Sequence, residues 1–397
     1  MKTDFYKHQA QTTPHPLALE ISHAKGSYIY DTQGNAHLDF VAGVSACSLG
    51  HCHPKVTQAI KDQLDQYAHV MVYGEYIQKP AVDYTKLLAS HLPESLQTTY
   101  LVNSGTEAIE GALKLARRAT GRTELIAANH AYHGNTMGSL SVMGFEERKA
   151  VFRPLIPDVR FITFNKEEDI QKITDKTAGV LLETIQGGAG FIEPENGYLS
   201  KIRKRCNEVG ALLILDEIQP GFGRTGKLFA FEHYNCIPDI LVIGKGMAGG
   251  LPAGAFVASQ RLMQSLQDSP KLGHITTFGG HPVIAAASLA TLKVITETSL
   301  MAQTLEKEAL FRRYLKHKFI KEIRGKGLML ALIMDRSEMA DFLVLTAAKQ
   351  NLILFWLLFE PRAVRISPPL TISNEEIKVG CEQIISILNH YTSELVN

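Results

Sequence analysis

Leu212-Leu213-Ile214-Leu215-Asp216-Glu217 and Ile240-Leu241-Val242-Ile243-Gly244-Lys245-Gly246 are two short apolar runs, each ending abruptly in charge. Runs of this length, without polar alternation, read as strands covered on both faces, the condition of a parallel sheet flanked by helices. Lys245 lies 29 residues beyond Asp216, about one crossover unit, so the two charges belong at the same ends of nearby strands. Outward from this pair, apolar runs alternate with helical patterns from about Tyr100 to Ser259. The runs are Tyr100–Asn103, Leu125–Asn129, Val159–Phe164, Gly179–Glu183, Ala211–Asp216, Ile240–Gly244 and Gly254–Ala258. They predict an α/β domain with a mostly parallel sheet. Ligands of such sheets bind beyond the carboxyl ends of the strands, so the chemistry is expected just after these runs.

After Gly280 the pattern changes. A helical stretch is expected from Pro282 to about Phe319, then a strand within Gly327–Met334 and the apolar run Leu352–Phe359. A last helix follows Ser373, which stands three residues before Glu376 as a capping box. This reads as a smaller α+β domain, completed by the strand–turn–strand pattern of Ser27–Phe40. The expected division is a large domain over 50–290 and a small one over 1–49 and 291–397.

The composition sets outer bounds. Of 397 residues, 45% are hydrophobic and 20% charged, an ordinary globular balance. Basic and acidic residues number 41 and 40, so no broad basic surface exists for nucleic acid or an anionic membrane. The polar N-terminus shows no secretory signal, and Leu352–Phe359 is far too short to span a bilayer. Cys47, Cys52, Cys206, Cys236 and Cys381 form no C-x-x-C pair, which points to reduced thiols and a cytoplasmic location.

Several local patterns carry chemistry. In Asn103-Ser104-Gly105-Thr106-Glu107 a strand ends and a helix begins, with Ser104 and Glu107 as a capping box. A glycine flanked by two hydroxyls there leaves backbone N–H groups at a positive helix end, a phosphate site in principle; the alternative is a well-capped helix. Asp216, at the end of a buried strand, needs a partner, such as a protonated ring nitrogen, unless it caps the next turn. Lys245, beside a buried sheet, can lose its proton and attack an aldehyde; the alternative is a solvated loop lysine. Gly221-Phe222-Gly223-Arg224-Thr225-Gly226 matches the dinucleotide fingerprint, but Glu217–Pro220 separate it from the strand and no clear amphipathic helix follows. His51-Cys52-His53 lacks a second ligand pair at usable spacing and runs into Pro54, so it reads as a turn before a helix, with no metal.

Together these motifs resemble the class III, ornithine/acetylornithine-type aminotransferases, which depend on pyridoxal phosphate (PLP). The likeness covers nearly the whole chain: Leu49–Val56, Asn103–Arg117, Tyr132-His133-Gly134, Leu181–Gly190, Leu212–Tyr234, Pro238–Pro252, Thr276–Pro282 and Arg365–Leu370, in order. It implies the PLP-dependent transferase fold type I. It implies that Lys245 carries the cofactor as a Schiff base and shuttles the proton, and that Asp216 pairs with the pyridine nitrogen. Gln219 would bond the phenolic oxygen, Tyr132 would stack on the ring beside His133, and Ser104, Gly105 and Thr106 would hold the phosphate. Glu183 would line the site. Thr277 would reach the phosphate of a neighbouring subunit, making the active unit a homodimer. Arg365 would bind the α-carboxylate of the amino or oxo acid, unless it is a surface residue or a structural ion pair.

Two positions depart from the family pattern. Asn135 stands where members acting on acetylornithine or 4-aminobutyrate usually carry an arginine that holds the substrate carboxylate. Gly188 stands where many carry a glutamate that can pair with the carboxylate-binding arginine. The implied reaction moves an amino group from an amino acid or ω-amine to a 2-oxo acid such as 2-oxoglutarate. Overall likeness favours an ornithine-like donor; the departures favour a less carboxylated amine or the amino-oxononanoate reaction of biotin synthesis. The same lysine and aspartate serve PLP lyases, decarboxylases and racemases. A non-catalytic regulator of the same fold would need a DNA-binding extension, and none is visible.

Overall fold

The computed structural model describes residues 1–391. Its central sheet has seven strands in the order Thr98–Val102, Gly254–Ala258, Ile240–Gly244, Leu212–Asp216, Thr177–Glu183, Glu124–Ala128 and Val159–Ile162. Gly254–Ala258 runs antiparallel to both neighbours, and the remaining pairs are parallel. All seven apolar runs thus become strands of one sheet, and the mostly parallel α/β fold is as expected. Leu213, Ile214 and Leu215 have no exposed surface, each contributing roughly 1.5–3 kcal/mol of burial. Apolar clusters cover both faces of the sheet, one around Leu88, Leu182 and Leu213, the other around Ile109, Leu181 and Ile214. Consecutive strand residues such as Leu181 and Leu182 point into opposite clusters, which is why these runs lack polar alternation.

A second core gathers the C-terminal half with Leu38 and Phe40. Two four-stranded sheets serve it. One joins Ile21–Lys25, Tyr28–Asp31 and Ala36–Asp39 to Leu352–Ile353; the other orders Ile320–Lys326, Met329–Met334, Ala363–Ile366 and Phe355–Trp356. The run Leu352–Phe359 is therefore not one strand. Leu352 pairs in parallel with Leu38, while Phe355 pairs antiparallel with Arg365, so this segment ties the N-terminal hairpin to the strand that bears Arg365.

Three local expectations change. The helical stretch after Gly280 breaks into Pro282–Thr296 and Leu300–Tyr314, bent by 68°. The hydroxyls of Thr296 and Thr298 donate to the carbonyls of Leu292 and Val294, competing with continuation of the helix. The strand Ile320–Lys326 gave no apolar signal because polar residues interrupt it. The Ser104 box forms by half: Ser104 Oγ accepts from Glu107 N at 3.3 Å, but the Glu107 carboxylate accepts from Asn103 N, at 2.6 Å, and from Asn103 Nδ2. The Ser373–Glu376 box forms in both directions.

The glycine-rich segment 221–226 opens no helix. Arg224 within it is wholly buried and donates to the carbonyls of Leu328 and Pro368 and to Ser48 Oγ, which bolts the large sheet to the C-terminal core. His51 Nε2 donates to Asp39 Oδ2 at 2.9 Å, and His53 immediately precedes the helix Pro54–Gln66. Among the described residues no single helix is long and apolar enough to cross a membrane.

Candidate active site

The carboxyl ends of the parallel strands open into a cavity of about 480 Å³. Its wall includes Gly105, Thr106, Tyr132, His133, Asn135, Glu183, Gly188, Asp216, Gln219, Lys245 and Arg365. These come from six separate chain segments: the topology of the central sheet gathers five, and the strand Ala363–Ile366 of another sheet brings Arg365 to them. Asp216 and Lys245 end adjacent parallel strands, as their spacing predicted. Two candidates stand off the wall. Ser104 caps the helix Gly105–Thr120, and Thr277 lies exposed on the surface of this single chain.

Each polar group in the cavity has a definable environment. Asp216 Oδ1 accepts from Ile218 N at 2.9 Å, and Oδ2 accepts from His133 Nδ1 at 2.7 Å. The His133 ring is buried and its Nε2 has no partner. The bond fixes the tautomer of His133, with the proton on Nδ1. Glu183 receives Gly187 N at 3.0 Å and Tyr132 N at 3.4 Å. Burial raises its carboxyl to about 7, against the opposing pull of His133. Burial also lowers the Lys245 amine below the ordinary lysine range, with Asp216 and Glu183 opposing and Arg365 assisting. Lys245 sits at φ 39°, a left-handed conformation that a side chain adopts only at a cost.

At the other pole the first turn of Gly105–Thr120 meets the cavity. A side chain at Gly105 would come within 2.9 Å of Ile218, so the backbone there must stay bare. Thr106 Oγ1 bonds Thr136 and Ser139 at 2.8 and 2.7 Å, and Glu110 receives the Gly138 and Ser139 amides. This hydroxyl network was not singled out in the sequence, because ordinary helix-start residues compose it.

Arg365 is 5% exposed, and its Nε and Nη1 have no partner. Its guanidinium lies 5.6 Å from the Phe191 ring centroid, and burial lowers it to about 10. A buried cation with two idle donors is neither a surface residue nor half of an ion pair. Asn135 Nδ2 donates to the Tyr132 hydroxyl at 3.2 Å. A side chain on Gly188 would start 2.6 Å from the ring of Phe359, which fills the space beside it. Val44, Phe355, Trp356 and Leu358 complete an apolar rim that the sequence did not point to. Phe355 and Leu358 belong to the apolar run Leu352–Phe359, yet each is 39% exposed.

The comparisons with known proteins agree on class. The chain superimposes on the ornithine aminotransferase of Toxoplasma gondii, in a structure with partial occupancy of PLP at its active site, with a TM-score of 0.89 at 30% identity, covering 98% of this chain and 94% of that one. It is 36% identical to the acetylornithine aminotransferase of Bacillus subtilis strain 168 over 94% of this chain and 96% of the relative. It is 38% identical to the [LysW]-aminoadipate semialdehyde/glutamate semialdehyde transaminase of Sulfolobus acidocaldarius, over 79% of this chain and 81% of the relative. The family profile for class-III aminotransferases matches residues 9–388. The chain belongs to the class-III aminotransferase family and is an enzyme of amino-group transfer.

Proposed function

We propose that this aminotransferase works with PLP in the cavity described above, with Lys245 as its point of attachment. The observation that carries the reading is the convergence, in one cavity, of a deprotonation-prone lysine, a carboxylate braced by histidine, a bare helix N-terminus and an unpartnered guanidinium. The residues fit the group. The amides of Gly105 and Thr106 and the Thr106 hydroxyl suit a phosphate, because a helix N-terminus favours an anion. Asp216, held by His133 and the Ile218 amide, suits a protonated ring nitrogen. Tyr132, with His133 beside it, supplies a ring face, and Gln219 a bond to the phenolic oxygen. Ser104 supports the phosphate pole by fixing the helix start.

PLP bound there supplies an electron sink for the carbon that carries the amino group. The chain's residues do the rest. Burial favours the uncharged form of the Lys245 amine, so its Nζ would be able to add to a carbonyl and, once released, to hold and return a proton. Asp216 would hold the ring nitrogen in its charged form, and His133 and the Ile218 amide keep Asp216 oriented. Arg365 takes the carboxylate of the 2-oxo acid with parallel hydrogen bonds. The apolar rim excludes water from the reacting carbon.

The amine donor is an amino acid or ω-amine, ornithine- or acetylornithine-like by its relatives, and the acceptor a 2-oxo acid such as 2-oxoglutarate. Gly188 and Asn135 leave Arg365 open and withhold a second deep cation. We further propose a homodimer in which Thr277 serves the partner's site, the domain division at 50–290 against 1–49 and 291–397, and a cytoplasmic location. Thr277, Phe278 and Ile275 are exposed in the single chain, as an interface segment should be. Donor added without oxo acid should yield one equivalent of carbonyl product per subunit, and 2-oxoglutarate should then yield one equivalent of glutamate. Sustained release of carbon dioxide, or racemisation without a carbonyl product, would overturn the reading.

A further inference from the structure

The geometry points to Arg148 as the residue that selects the far end of the amine donor: a guanidinium bonded to the cavity-wall residue Leu358 that receives a second anionic group in place of the arginine missing at position 135. This inference rests on the aminotransferase reading and concerns the substrate class of the same site.

Four observations carry it. Arg148 Nη2 donates to the carbonyl of Leu358 at 3.4 Å, and Leu358 belongs to the cavity wall. Its guanidinium lies 5.7 Å from the centroid of Phe359, the ring that fills the space beside Gly188. Phe359 is itself stacked on Phe145 at 4.8 Å, so the ring beside the guanidinium is braced by a second aromatic. Burial raises the Tyr132 hydroxyl, the charge of Arg148 opposes that rise only in part, and the same hydroxyl accepts from Asn135 Nδ2.

The charge is also available. The neighbouring carboxylate Glu146 is taken by Arg153 at 2.7 Å and Lys149 at 3.8 Å. Among the described residues no carboxylate pairs with Arg148, whose bonding is confined to one carbonyl and one ring face. Arg148 is exposed and does not itself line the cavity; it meets the cavity wall through the carbonyl of Leu358. The cavity wall that holds Leu358 and the buried Arg365 also includes the apolar Phe355 and Trp356. The matching donor is an ω-amine with an unbranched apolar middle and a carboxylate at its far end. Its amine enters toward Lys245, and its carboxylate stays at the mouth.

The test compares ω-amino acids from 4-aminobutyrate to 7-aminoheptanoate with their neutral amides as donors to the PLP-loaded enzyme. The parent is expected to favour carboxylate over amide in kcat/KM by roughly three- to tenfold for the longer members, the modest gain of a partly solvated ion pair. Arg148→Leu should bring that ratio to about one, Arg148→Lys should retain part of it, and Arg148→Glu should invert it. The 2-oxo acid half-reaction reports Arg365 and serves as the internal reference. A carboxylate-to-amide ratio that is the same in the parent and Arg148→Leu overturns this inference while leaving the aminotransferase reading intact. Failure of every ω-amino acid in a parent that still converts ornithine or acetylornithine also overturns this inference, whereas a parent that gives no carbonyl product from any of these donors overturns the aminotransferase reading.

Discussion

Replacing Arg365 by leucine separates what a buried cation does for the fold from what it does for the substrate. The guanidinium is 5% exposed, with Nε and Nη1 unpartnered, on the strand Ala363–Ile366 between Met329–Met334 and Phe355–Trp356. Without substrate, it carries a desolvation cost that no carboxylate offsets, and its visible compensation is the Phe191 ring face at 5.6 Å, worth about 2 kcal/mol when desolvated. Leucine removes the charge and fills part of the volume, so the unliganded protein should be as stable as the parent or more so. The oxo acid should lose a charge-assisted contact worth roughly 1.5–3 kcal/mol, about ten- to a hundredfold in kcat/KM. The charge of Arg365 also helps lower the Lys245 pKa, so the acid limb of the pH–rate profile should move to higher pH in the variant. Stopped-flow measurement of the aminated enzyme with 2-oxoglutarate gives the rate effect, and thermal unfolding of the unliganded protein gives stability. An intact oxo acid half-reaction in Arg365→Leu would refute the reasoning. A large fall in stability with unchanged kinetics would assign Arg365 to the fold instead.

Three other outcomes follow from the geometry. Asp216→Asn keeps the shape but removes the charge that His133 and the Ile218 amide hold in place, so PLP affinity and turnover should both fall by orders of magnitude, read by cofactor titration and steady-state rates; turnover at the parental rate would contradict the role. Glu217 is buried, and burial raises its carboxyl to about 7 despite bonds from Thr184, Ala230 and Phe231. A carboxyl raised above its unfolded value stabilises most below about 4.5, and that contribution is lost as pH climbs through about 7. Glu217→Gln should remove that component of the pH dependence of Tm and cost roughly 1–3 kcal/mol, because one backbone amide loses its acceptor; an unchanged pH slope would count against it. Lys245→Ala chains, inactive alone, mixed and reassociated with weakened Thr277→Ala chains should raise activity above that of the Thr277→Ala chains alone, since one site of each hybrid is then whole; an active monomer in sedimentation would contradict the shared site.

Much of the fold was legible because strands buried on both faces leave uninterrupted apolar runs, as at Ile240–Gly244. Where local hydroxyls or mixed polarity decided, it was not, as in the break after Thr296 and the strand Ile320–Lys326. The family likeness supplied roles for Lys245, Asp216 and Arg365, and the topology places all three on one cavity wall. What the likeness could not supply was how neighbours set those groups: the His133–Asp216 bond, the idle donors of Arg365, and the ring of Phe359 beside Gly188. These depend on contacts across long sequence separations, such as residues 133 and 216 or 188 and 359, which no local pattern records. The apolar rim was hidden for the opposite reason, since Phe355 and Leu358 look like core residues until their exposure is known.

The most direct test of the account is where the cofactor attaches. PLP-loaded enzyme is reduced with borohydride, digested, and the modified peptide is identified by mass. The account predicts a single label on Lys245, and its absence in Lys245→Ala together with loss of turnover by orders of magnitude. A label on any other lysine, or parental turnover in Lys245→Ala, would contradict it.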